Sequence, residues 1–479
     1  MTRSDLPLSG FSDVDSPAVR LPSLETMVPE LAEYVALPSI SRTANYSTMQ
    51  ETAEWLAGRL AFAGGRVEQT AGFPVVRAEW SAGPDAPVVL VYGHYDVQPT
   101  GSLDEWMTDP FDLVAATHEG TDVLCGRGVS DDKGHVLLVV KLAEALLAQR
   151  GALPLTIKFL IEGEEEIGSP NLASYVEAHA DELACALVIS ADGAQWRPGE
   201  PSLSIASKGL VSLDVVVRGA DSDLHSGRFG GTVANPARAL SALLAGLHDE
   251  SGHVAVADFY DGVTDPSDER RAEIARVSLC ESDYRNGLGV PELHGEAGFS
   301  TLERLWERPT LEITGITAGG KYSVIPHVAT GHLSARLVGH QDPDRVAAAV
   351  ERHLLGHPQP GVSIEVSVDA ARVPAYRIEA DHPAIRAATA ALGHVYPGEA
   401  VLLCVIAGTL PASTLFERAL GVKTLFFSFS TADENLHAPN EFLRTRRIHE
   451  GMRAWERLWQ LLADGPHRLE SSPRHRVIR

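Results

Sequence analysis

Cysteine is scarce. The 479-residue chain has four, Cys125, Cys185, Cys280 and Cys404, far apart and with no Cys-x-x-Cys spacing. That pattern excludes a disulfide framework and a zinc ribbon, and fits reduced, mostly buried thiols in a cytoplasm. Long apolar runs are missing too. No stretch approaches the roughly 18 residues that a membrane span needs. Residues 1–21 have no uninterrupted apolar core and carry Asp5, Asp13 and Asp15, so neither a signal peptide nor an anchor is expected. Basic residues are outnumbered, with 40 Lys and Arg against 64 Asp and Glu, and the formal net charge is −24. An excess of that sign argues against nucleic-acid or anionic-membrane partners. There is no internal repeat and no long low-complexity segment. Only the tail, residues 466–479, reads as loose.

The chain is too long for one core, which predicts two or three domains. Its hydrophobic content of 44% is ordinary for a globular protein. Residues 23–64 read as two helices, the second stopped by Gly64-Gly65. Strands are expected at 72–80, 87–92, 155–161 and 186–190, with a strongly apolar helix over 135–149. A further helix should run to His179, with Ser169 as N-cap and Pro170 at the first helical position. This is an α/β alternation. From about Lys208 the pattern changes to strand 210–217, helix 235–247, strands 310–316 and 328–338, helix 343–355 and strand 361–368. That β-α-β-β-α-β order is the one of a ferredoxin-like module, with an acidic insert over 258–308. Alpha/beta character resumes at His382, with strands at 401–406 and 423–429 and a last helix over 445–462. The expected architecture is a catalytic α/β/α domain with a mixed sheet (1–207 and 379–479), interrupted by an inserted ferredoxin-like module (208–378).

The α/β part carries acidic and imidazole side chains at its strand ends. The apolar run Val88–Tyr92 leads into His94-Tyr95-Asp96, where i and i+2 share a face of an extended chain. Ligands of open α/β sheets bind at such C-terminal strand ends. Asp131 precedes a helix, where capping is the ordinary job for an Asp; in Asp131-Asp132-Lys133 a cap needs one carboxylate and leaves the second to explain. Glu162, Glu164, Glu165 and Glu166 follow a buried strand. A solvated acidic loop is the ordinary reading for Glu162 and Glu164, whereas four buried carboxylates would repel one another unless a cation joined them. Asp192 follows the strand at 187–190, and His437 follows the last sheet strand. Two His and three or more carboxylates at the edges of one sheet are a ligand set for two divalent ions such as Zn²⁺, Mn²⁺ or Co²⁺.

His94-Tyr95-Asp96, Gly126-x-Gly128-x-x-Asp131-Asp132-Lys133-Gly134, Glu165-Glu166-Ile167-Gly168-Ser169, Asp192 and His437 stand in an order that resembles the dinuclear zinc peptidase family of carboxypeptidase G, aminoacylase, succinyl-diaminopimelate desuccinylase and carnosinase-like cytosolic dipeptidases. Asp223-Leu224-His225-Ser226-Gly227 and Arg304-Leu305-Trp306-x-x-Pro309-Thr310 resemble its dipeptidase branch. The resemblance implies that Asp131 bridges two metal ions, that His94 and Asp192 complete one position, and that Glu166 and His437 complete the other. The ions, most often zinc, would lie about 3.5–4 Å apart and activate a water between them. Glu165 would be the general base, Asp96 would orient His94, and the Asp131–Asp132 bond would be cis. Adjacent residues of a strand point oppositely, so Glu165 and Glu166 can face one centre only from a turn, which Gly163 and Gly168 permit; the division of roles between them waits on geometry. The resemblance also makes the inserted module a lid and dimerisation domain of a homodimer. His225 would reach the neighbouring subunit's site as an oxyanion donor, the alternative being a surface-loop histidine. Arg336 is either a clamp for a substrate carboxylate or a solvent-face ion pair. His382 and Thr409 are further substrate-side candidates.

Two departures lie on the substrate side. Where dipeptidase relatives carry Arg-x-Gly-Gly-Ser-Ile-Pro, this chain has Val405-Ile406-Ala407-Gly408-Thr409-Leu410-Pro411, and the loop 317–323 is shorter than theirs. The expected activity is therefore metal-dependent hydrolysis of a peptide bond in dipeptides or short peptides. N-acyl amino-acid amide hydrolysis is the same-chemistry alternative, and a non-catalytic scaffold the alternative of another class.

Overall fold

The computed structural model describes residues 19–43, 45–320, 322–464 and 469. The readings of residues 1–18 and of the tail 466–479 lie outside them. The fold is mixed α/β and is built on two main sheets.

The first sheet has six strands in the order Arg66–Glu68, Val75–Trp80, Thr156–Glu162, Val88–His94, Leu187–Ser190, Thr424–Phe426. The first two pairings are antiparallel and the last three parallel. Its parallel strands are short, largely apolar and buried runs, as a covered parallel sheet requires. Side chains alternate accordingly. Val89, Val91, Ile157, Phe159, Leu187 and Ile189 enter the core shared with helices Leu24–Val35, Lys133–Arg150 and Thr445–Ala463. Leu90, Tyr92, Leu160 and Val188 enter a second core against helices Leu172–Ala178 and Pro411–Leu420. Because the four parallel strands run the same way, the residues following His94, Glu162, Ser190 and Phe426 all emerge at one edge.

The second sheet is antiparallel, in the order Thr310–Ala318, Val328–Leu337, Gly209–Arg218, Ser363–Val373. Strand Gly209–Arg218 alternates buried and half-buried residues. Val211, Leu213, Val215 and Val217 pack on helices Pro236–Ala245 and Pro343–Gly356, forming a core of their own. Asn235 and Asp342 cap these two helices, each with proline in the first turn. A three-stranded sheet, Tyr376–Arg377, Ser202–Ser207, Leu402–Ile406, stands at the junction of the two regions.

The structure corrects the sequence reading in four places. A hairpin, Val114–His118 and Thr121–Cys125, takes Phe442–Arg444 as its third strand. Helix Pro411–Leu420 lies where the sequence reading assigned no element. The helix after Ser169 begins only at Leu172, with Asn171 at the N-cap position; Ser169 has φ +52° and gives its hydroxyl to Glu162 instead. Glu162 and Glu164 are buried, not solvated. Glu162 accepts from Tyr92 and Ser169, and Glu164 from Asn171 and the Phe73 N–H. Such partners are what make a buried carboxyl tolerable.

Candidate metal centre

His94 ends its strand with the ring buried. Its Nδ1 lies 3.0 Å from the Asp96 carbonyl oxygen and 3.4 Å from that residue's carboxylate, and its Nε2 lies 3.1 Å from Asp131 Oδ1. Asp131 thus faces His94 with one oxygen. With the other it faces His437, whose Nε2 is 2.9 Å from Oδ2. His437 Nε2 is also 3.3 Å from Glu166 Oε2. One carboxylate between two imidazoles is the geometry of a bridging ligand.

The Glu165–Glu166 pair sits on a single helical turn, Glu165–Ile167, ended by Gly168 at φ +87°. Gly163 serves differently: a Cβ there would collide with the Tyr95 ring, whose hydroxyl is held by the Pro74 carbonyl. The turn hangs on Asp96, whose two carboxylate oxygens accept the N–H groups of Glu165 (3.2 Å) and Glu166 (3.1 Å). Asp96 therefore orients the carboxylate turn as well as lying beside His94.

The donors fall into two groups, His94 with Glu165 and Asp192, and Asp131 with Glu166 and His437; within each, one ligand atom per residue lies within 4.8 Å of the others. The sequence left the roles of Glu165 and Glu166 open, and the geometry gives the two carboxylates different neighbours. Glu166 faces His437 and Asp131, and its Oε2 accepts from Gln98 at 2.7 Å. Glu165 faces His94 and Asp192, and its carboxylate has no hydrogen-bond donor among the described residues.

The electrostatics ask for a cation. Burial, then Asp131, pushes Glu166 up to about 8 and Asp192 up to about 6. Burial and Asp192 hold Glu165 well above the usual range. Burial would depress His94, but Asp131 and Asp96 outweigh it and leave the ring well above its ordinary value. His437 is raised by Asp131. Asp131 is raised by burial but held below its ordinary value overall by His437 and His94. The imidazoles of His94 and His437 are the counter-charges among the largest influences on these carboxyls. Mixed imidazole and carboxylate donors suit borderline to hard divalent ions, so the donor set fits the expected pair.

Neither Asp131 nor Asp132 caps the helix Lys133–Arg150 with its side chain. Asp132 Oδ2 accepts the His94 N–H at 3.3 Å, and the peptide bond between the two aspartates is cis. Sequence reasoning also passed over Gln98, Arg127, Glu434 and Glu441. The signal for Glu441 was at hand, since it directly follows Pro439-Asn440, but a glutamate after a turn reads as surface; here it is fully buried.

The substrate-side candidates are less concentrated. Arg336 donates to Thr409 Oγ1 at 2.7 Å, and that hydroxyl is its one side-chain partner among the described residues. Among the described residues it makes no ion pair, and burial lowers its pKa. Val405, at the missing arginine's position, is buried against Trp306 and Leu302. His382 caps helix Pro383–Val395 by accepting from the Ala384 N–H, which gives it a structural task away from the cluster. His225 is exposed and accepts from Gly227 N–H.

A family model described as peptidase family M20/M25/M40 matches residues 90–461. The human Beta-Ala-His dipeptidase is 31% identical over 387 residues, covering 79% of this chain and 75% of that protein. The Cys-Gly metallodipeptidase of Saccharomyces cerevisiae is 27% identical over 405 residues, 82% of this chain and 83% of that one. Among solved structures, an M20 family metallo-carboxypeptidase from Sulfolobus solfataricus has a TM-score of 0.80 and 29% identity over 91% of this chain and 99% of its own.

Proposed function

Because the chain belongs to peptidase family M20/M25/M40, we propose that it is a dinuclear metallodipeptidase, cleaving the peptide bond of dipeptides or short peptides. The observation that carries this reading is Asp131 shared between His94 and His437, with Glu165 left without a donor beside them. His94, Asp131 and Asp192 would hold one ion, and Asp131, Glu166 and His437 the other. The pair, zinc with manganese or cobalt as substitutes, would polarise the scissile carbonyl and lower the pKa of a water. Glu165 would take that water's proton and pass it to the leaving amine; burial and Asp192 raise its pKa, which makes it the stronger proton acceptor. Asp96 keeps Glu165 and Glu166 on their turn.

Arg336 and Thr409, joined across the two regions, would receive the substrate's free carboxylate. That chemistry serves N-acyl amino acids as well, and the apolar Val405 keeps this second reading open. The segment 208–378 would be the ferredoxin-like lid and dimerisation domain, a reading supported by its β-α-β-β-α-β order and separate core. His225 would then reach the partner subunit of a homodimer. Among the described residues no helix is long and apolar enough to cross a membrane, which suits the cytoplasmic location proposed from the reduced cysteines.

The test is a metal-loaded assay on a dipeptide panel beside N-acetyl amino acids. Turnover of dipeptides that chelation abolishes supports the proposal. A protein holding two ions per chain yet hydrolysing nothing in the panel refutes it.

A further inference from the structure

Three loops bring donors to the centre: the one after His94, the one ending at Asp131 and the one carrying His437. All three meet at one buried ion pair that the proposed chemistry does not use. Glu441 is fully buried. Its Oε2 accepts the Gly128 N–H at 2.8 Å, and its Oε1 accepts the N–H groups of Ser130 (2.9 Å) and Asp131 (3.0 Å). Arg127, whose side chain is equally hidden, donates to Glu441 Oε2 at 2.8 Å. Its Nη2 reaches the Pro99 carbonyl at 3.2 Å and the Ala438 carbonyl at 3.1 Å. The Trp106 ring lies under the guanidinium, 5.3 Å from its carbon to the ring centroid.

The His437 loop needs such a hold. Asn435, His437 and Asn440 all have positive φ, between 55° and 62°. Non-glycine residues keep that conformation only where their surroundings impose it. Asn440 is fixed from the side by the Met107 N–H and the Glu105 carbonyl, and Arg127 fixes Ala438, next to His437, from beneath. A buried arginine and glutamate of this kind contribute little net stability against an apolar pair, because both must be desolvated. What the pair supplies is registration.

We propose that Arg127 and Glu441 are positioning residues that set the separation of the two metal positions: Glu441 fixes the main chain of the bridging Asp131, and Arg127 ties that chain to the His94 and His437 loops at once. This rests on reading the cluster as a dinuclear site. The test titrates the metal-free full chain with Mn²⁺ alone, by calorimetry, for wild type, Glu441→Gln and Arg127→Lys, with thermal melts of each metal-free protein. Partners one step removed from metal ligands typically matter 10- to 100-fold in affinity. We expect a loss in that range for both variants, falling on both ions. Arg77→Lys is the control, at a buried arginine that pairs with Glu68 and Glu182 away from the centre; it should lower the melting temperature and leave Mn²⁺ affinity unchanged. Wild-type Mn²⁺ affinity in folded Glu441→Gln or Arg127→Lys overturns the inference. So does failure of both to fold, since the pair would then be holding the fold and not the ligands. Should wild type itself bind fewer than two ions, the dinuclear reading fails instead, and the two failures stay distinct.

Discussion

Filling the centre with metal should expel protons, and the number can be worked out. At pH 7 a carboxyl shifted to about 8, as Glu166 is, is about nine-tenths protonated, whereas one shifted to about 6, as Asp192 is, has lost all but about a tenth. His94, which burial would lower but Asp131 and Asp96 hold well above its ordinary value, and His437, raised by Asp131, hold protons in the same sense. Ligands must be deprotonated to bind an ion, so loading should release about one proton per chain from Glu166 at neutral pH, with His94 and His437 adding to it. The sign follows: Glu166, His94 and His437 have their pKa raised in the metal-free fold, so each gives up its proton as pH rises. Apparent affinity should therefore climb with pH through neutrality by about one order of magnitude per unit or more, the Glu166 share flattening above about pH 8. Calorimetric titration with Zn²⁺ or Mn²⁺ in buffers of contrasting ionisation enthalpy counts the protons directly. Binding of two ions with no proton released, or an affinity flat between pH 6 and 8, would refute the electrostatic account of the cluster.

Other perturbations bear on the same centre. Glu165→Gln should keep both ions by metal analysis and lose about 10²–10⁴-fold in kcat, the worth of a positioned general base; unchanged kcat would remove Glu165 from that role. Arg336→Ala should raise KM for substrates with a free terminal carboxylate by roughly 10-fold or more, a charge-assisted hydrogen bond being worth about 1.5–3 kcal/mol, and should leave C-terminally amidated substrates unaffected. Equal losses on both would discard the clamp. Gly163→Ala should destabilise the protein by about 1–3 kcal/mol through overpacking against Tyr95, read from urea denaturation. Tyr95→Leu in the same chain should recover part of it; additive losses would show that the ring is not what the new methyl meets.

The centre was legible where short-range rules govern it. His94 and Asp192 stand at or just past the ends of apolar runs, and such runs are hard to misread; His437 follows the last strand of the same sheet. What stayed hidden depends on partners far along the chain. Glu162 and Glu164 sit in an acidic quartet that looks solvated, and only Tyr92, Phe73 and Asn171 show why they are buried. Glu441 looks like a surface residue until Arg127 and three N–H groups are placed around it. The hairpin over 114–125 turns at Glu119-Gly120, both with positive φ, and glutamate is not a residue that announces such a turn. Helix Pro411–Leu420 was readable after all. It has proline in its first turn and Gly421 at φ +69° behind its end, the ordinary start and stop of a helix.

His94 and His437 meet on the two oxygens of Asp131, and on the proposed dinuclear reading their spacing along the chain governs when the enzyme can come alive during synthesis. At a translation rate of about 5–20 residues per second, the His437 codon is read roughly 10–50 s after that of Asp192. Until then a ribosome-bound chain can display His94, Asp131, Glu166 and Asp192 but lacks the imidazole that closes the second position. Prematurely terminated products share that defect, so a hydrolytic centre is withheld from every chain that stops short of its last tenth.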